Sequence, residues 1–134
     1  METSHLTRPF RPIELSAETL AFFSLSDLAR DLTGEDEYGR SGVSSVTLTR
    51  DGHVTAVLVA LRKGSTMREH RAPSAAMVVL LSGSASFVAV DGMKTALRPG
   101  SLAAFSADVP HAIEASEDAA FLVIIGGRER RQNS

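Results

Sequence analysis

The sequence predicts an all-β fold, an antiparallel sandwich or barrel, and three observations carry that reading. From residue 43 onward, short runs of β-branched and apolar residues recur about every ten residues, the spacing of small all-β domains. Turn dipeptides such as Asp51-Gly52, Ser82-Gly83 and Asp91-Gly92 stand between the runs. No helical period separates one run from the next, which excludes alternating βαβ units.

In chain order, the first fifteen residues hold Pro9 and Pro12 among arginines and show neither period, so they read as an extended arm. Ser24-x-x-Asp27 reads as a capping box, and Leu25, Leu28 and Leu32 follow at helical spacing. With Thr33-Gly34 as the stop, a short amphipathic helix is expected over 25–32. "GEDEYGRSG" reads as a polar, glycine-rich loop. Strands are expected at 43–49, 54–61, 76–81, 84–90 and 93–97, then in "SLAAF" after Pro99-Gly100, and finally at 119–125. The domain division is an arm and helix over 1–40, a β domain over 41–127 and a polar tail over 128–134.

A chain of 134 residues supports one sizeable core. Its 43% apolar and 22% charged residues are ordinary for a globular protein, and no apolar run approaches the length of a membrane span. The N-terminus lacks the unbroken apolar region of a secretory signal, so a cytoplasmic location is expected. Without cysteine there is no disulfide, thiolate nucleophile or cysteine-based metal site. A net charge of −2 gives no general attraction to nucleic acid or anionic lipid. The basic C-terminal "RERRQNS" reads as a solvated chain end. No nucleotide-binding glycine loop occurs, and Ser65, Ser101 and Ser106 form no nucleophile elbow.

The segment from Gly64 to Ala115 resembles the two sequence motifs of the cupin superfamily. The first motif is a glycine, five spacers, His-x-His, three or four spacers, Glu, six spacers and a glycine. Here Gly64, His70, Ala72, Ala76 and Gly83 fall at those places. The second expects Gly, five spacers, Pro-x-Gly-x-x-His, three spacers and Asn, and this chain offers Gly100, Ser106, Asp108, His111 and Ala115. The frame of glycines and one histidine per motif is kept; most of the remaining motif residues are replaced. "EHRAP" also resembles a recurrent string in small single-domain cupins. The resemblance implies a cupin-type jelly-roll barrel of antiparallel strands, here with a short N-terminal helix and an extended arm.

It also implies that His70 and His111 face each other inside the barrel and help to hold a divalent metal such as Fe, Ni, Zn or Mn. Two imidazoles fall short of the three protein ligands that a catalytic zinc or non-haem iron site takes. If His70 and His111 point inward, strand alternation turns Glu69 and Glu114 outward. Asp108, in the "SADVP" loop, is the remaining local carboxylate that could substitute. Arg68 shares the parity of His70, so it is either an inward or mouth-facing anchor for an anionic ligand group or a solvated strand-end arginine. His70 and His111 themselves stand as metal ligands, as ligand contacts without metal, or as ordinary partly buried histidines. His5 and His53 read as surface residues.

The run Met77 to Leu81 is apolar on both parities, so one face fills the barrel while the other packs within the chain or against a second subunit, and a homodimer is expected. The function expected is binding of a small molecule in a degenerate His70/His111 pocket, lined also by Arg68. The alternative is a metal-dependent cupin enzyme, of dioxygenase or isomerase type, with a third ligand still to be found.

Overall fold

Strand amides must find partners in neighbouring strands, and the computed structural model shows where each run finds its own. It describes residues 2–3, 6–16, 18–51, 53–69, 75–106 and 109–126. The elements among them are β1 (Glu2–Thr3), β2 (Phe22–Phe23), α1 (Leu25–Thr33), α2 (Asp36–Ser41), β3 (Val43–Arg50), β4 (Val54–Leu61) and β5 (Thr66–Glu69). After these come β6 (Ala76–Ser82), β7 (Ala85–Ala89), β8 (Lys94–Leu97), β9 (Leu102–Phe105), β10 (His111–Ala115) and β11 (Ala119–Gly126).

Two antiparallel sheets result, a larger one in the order β3-β4-β11-β6-β9 and a smaller one in the order β5-β10-β7-β8. Their inner faces share one apolar layer. Val59, Leu61, Val78, Leu80 and Phe121 come from the larger sheet, and Ala85, Leu97, Ile113 and Ala115 from the smaller. Among the described residues no ladder runs from one sheet into the other, so the layers form a sandwich, not the closed barrel expected. The antiparallel, all-β layering itself is as the sequence predicts.

A second apolar layer lies on the outside of the larger sheet. Leu28 and Leu32 of α1 are fully buried against Val46, Leu48 and Leu58, with Phe10 of the arm and Phe23 packed beside them. The arm is tied down along the β3 edge: the Ile13 amide donates to the Leu48 carbonyl at 2.9 Å, and the Arg50 amide to the Ile13 carbonyl at 3.2 Å. Toward β6 and β9 this outer face lies open, leaving Met77 39% and Leu102 55% exposed.

Several local expectations change. Ser24 does precede α1, but its hydroxyl donates to the Asp27 carboxylate at 2.9 Å and makes no side-chain hydrogen bond to a backbone amide of the first turn. The supposed loop after Gly34 contains α2, which spans the 40/41 boundary drawn from composition. It forms because Tyr38 is buried in the outer layer, while Gly42, with φ +83°, ends it. β5 and β10, both within the two motif regions, did not stand out in the strand pattern.

Candidate functional site

His111 begins β10 in the row whose next members, Ile113 and Ala115, belong to the inner apolar layer. It is only 6% exposed. Its Nδ1 lies 2.9 Å from the Val109 carbonyl oxygen. A carbonyl only accepts, so Nδ1 carries the proton, and in the neutral ring Nε2 is left as an acceptor. Nε2 makes no hydrogen bond to a described residue.

Two phenylalanines hold the ring. Phe87 of β7 stacks on it at 5.2 Å with 10° between the planes. Phe105 of β9 meets it at 4.3 Å and 49°. The phenylalanines touch each other at 5.3 Å, so His111 and Phe87 of the smaller sheet and Phe105 of the larger close one aromatic cluster across the sandwich. The cluster fixes the imidazole in position, surrounds it with apolar carbon and leaves one acceptor nitrogen for a ligand.

The other candidate residues divide. His70, Ala72 and Asp108 lie outside the described residues, as do His5 and the tail 128–134. Arg68 stands opposite Ala112 and is exposed, on the parity away from the buried His111 and Ile113. In the observed register Met67 lies opposite Ile113, Glu69 opposite His111, and Met67 packs on the inner layer. Glu114 does face outward, where it pairs with Lys94 at 3.0 Å.

Phe87 and Phe105 were not singled out by the sequence reading. The available signal was parity: Phe87 follows the inward Ala85 by two, and Phe105 follows Ala103 by two.

A resident metal, which the fold family implies, can be tested against these residues. Ala76 stands where the family has its glutamate, and it is buried in the inward row with Val78 and Leu80. A methyl group thus occupies a place from which a carboxylate would ligate. Among the described residues no three histidine, aspartate or glutamate side chains gather into a group that could hold an ion. The described donor set does not fit a three-ligand centre.

Two facing antiparallel sheets, with a histidine of the second motif on the inner face, define a cupin-type fold. The cupin domain family model matches residues 57–125, more than half the chain, and the protein belongs to that family. Among solved structures it is similar to a conserved protein of unknown function from Streptococcus pyogenes, at 25% identity and TM-score 0.61, covering 92% of this chain and 100% of that one. A cupin superfamily protein from Desulfitobacterium hafniense matches at 21% identity and TM-score 0.64, over 87% of this chain and 98% of that one. A single-residue mutant of salicylate 1,2-dioxygenase from Pseudoaminobacter salicylatoxidans matches at 15% identity and TM-score 0.64, over 73% of this chain and 32% of that enzyme, a likeness of fold alone. No curated protein matches the chain. Among the described residues no helix is long and apolar enough to cross a membrane.

Proposed function

We propose that the protein is a small-molecule-binding cupin whose ligand docks at His111 between the two sheets, with His70 as a second polar contact and no resident metal. The observation that supports this reading is the aromatic cluster. It presents one acceptor nitrogen in apolar surroundings, which suits a ligand with an apolar or aromatic body and a single hydroxyl or N–H donor. The buried Ala76 methyl supports the metal-free part of the reading.

Metal analysis of protein purified without chelator, on wild type and on His70→Ala and His111→Ala variants, tests it. The expected result is substoichiometric metal in all three, with added Fe, Ni, Zn or Mn leaving the melting temperature unchanged. Near-stoichiometric metal that both substitutions abolish would replace this reading with that of a metal-dependent cupin enzyme. A thermal-shift screen then finds ligands: a true one raises the wild-type melting temperature and loses that effect in His111→Ala.

A homodimer is proposed with this function, through the open outer face of β6 and β9 where Met77 and Leu102 are exposed. Sedimentation is expected to show a dimer for wild type and a monomer for Leu102→Lys. An unaltered monomer in both would sink it.

A further inference from the structure

At one end of the larger sheet, its outer face carries a row of small side chains beside Leu81. The register pairs Ala60 with Ala120 and Ala120 with Ser82, a row of small residues across β4, β11 and β6. Across from this row α1 contributes Ser26 and Ala29, whereas its Leu28 and Leu32 fill the outer layer against Leu58. Where these small groups face each other, with Leu25 and Leu81 beside them, they leave a cleft of about 470 Å³, the size of a small-molecule site.

One buried polar group opens on this cleft. Tyr38 lines it and is only 8% exposed. The Tyr38 hydrogen bonds all run through its backbone carbonyl, which accepts from the Gly42 amide at 2.9 Å and from Arg62 Nη1 at 3.2 Å; its hydroxyl bonds to no described residue. Among the described residues no sealed side-chain oxygen or nitrogen lacks a partner, so this hydroxyl keeps contact with solvent. Burial, and then the negative charge of Asp118, push its pKa up, which keeps it a proton donor at neutral pH.

Asp118 stands in the same wall. Its Oδ1 accepts from the Lys63 amide at 2.8 Å, and Oδ2 bonds to no described residue. Arg30, also in the wall, is paired with Asp27 at 3.1 Å, so it is not a free cation for an anionic ligand.

We propose that this cleft, separate from the His111 site, binds a small uncharged hydrophobe bearing one hydroxyl, a phenol or cyclic alcohol. Its ring lies on Ala60 and Ala120, and its oxygen accepts a hydrogen bond from the Tyr38 hydroxyl while donating to Asp118. A ring without a hydroxyl gains the apolar contact but leaves Tyr38 unanswered, and a carboxylate meets the repulsion of Asp118.

The test is a titration of 2-naphthol and of naphthalene into full-length protein, followed by amide chemical shifts. Saturable shifts at Ala29, Ala60 and Ala120 with 2-naphthol, and weaker binding of naphthalene, are expected. Tyr38→Phe should weaken 2-naphthol by about three- to tenfold at those amides, the worth of one neutral hydrogen bond, and leave naphthalene unchanged. Ala29→Leu, which keeps a strong helix former in α1 while filling the cleft, should abolish both, and His111→Ala should alter neither. Shifts confined to Phe87, Phe105 and His111, or 2-naphthol binding at the cleft amides indifferent to both Tyr38→Phe and Ala29→Leu, would overturn the proposal.

Discussion

At Gly83 the chain turns from β6 into β7 with φ +85°, and an added Cβ would collide with the Asp118 carbonyl oxygen and the Ala119 Cα. Two independent penalties therefore fall on any side chain there, a left-handed backbone and a backbone clash that no rotamer relieves. Gly83→Ala is expected to cost at least about 2 kcal/mol, read as a lowered urea midpoint at unchanged slope. A change under half that size would show that the turn can relax. Gly83 was legible as a motif residue because part of its requirement, the left-handed turn after β6, is local; the clash with Asp118 and Ala119 is not. The His111 cluster was half legible for the opposite reason. His111 stands in a motif, but Phe105 reaches it only once β9 and β10 have been assigned to opposite sheets. The frame of Arg68 is likewise set by its strand partner, Ala112, and not by its neighbours in the chain.

Elements show the same division between local and non-local causes. α1 was predictable because its leucines repeat at helical spacing within one short stretch; α2, with the single buried Tyr38, was not. A charged junction ties the arm to the start of α2 and to β3. Arg8 donates to both Glu35 oxygens, at 2.9 and 3.0 Å, and to the Ser45 carbonyl at 2.6 Å, while Ser44 Oγ donates to Glu35 Oε1 at 2.6 Å. The Arg8 hydrogen bond, ahead of the opposing effect of burial, holds the Glu35 carboxyl below its ordinary value. A lowered folded-state pKa stabilises above the ordinary glutamate value and loses that contribution as pH falls through the lowered one. Glu35→Gln should therefore cost about 1 kcal/mol at neutral pH, because the Arg8 side chain is 45% exposed and solvent screens the pair. The difference from wild type should close in acid. Urea denaturation of both proteins at neutral and acid pH checks the sign: a gap that widens in acid would remove Glu35 from the junction's energetics.

For the whole molecule, the number and spacing of strands were legible from alternation and turns, but closure was not, because it depends on how far sheets curl and where their edges meet. The observed edges are β3 and β9 on one layer and β5 and β8 on the other. With no ladder joining the layers among the described residues, their cohesion rests on the shared apolar interior. Phe121 is the largest side chain fully buried there, on β11, which pairs with β4 and β6 at the centre of the larger sheet. Its removal should cost about 3–5 kcal/mol, as for other large buried aromatics. If the interior couples the layers, Phe121→Ala must also speed hydrogen exchange in β7 and β10, which share no hydrogen bond with β11, as well as in β4 and β6. The slowest wild-type amides are expected in β11, paired on both sides along its length, and the fastest amides of the two facing sheets in the four-residue edges β5, β8 and β9. Exchange mapped under native conditions separates the cases. Acceleration confined to the larger sheet would mean that the sheets open independently and that their cohesion does not rest on Phe121.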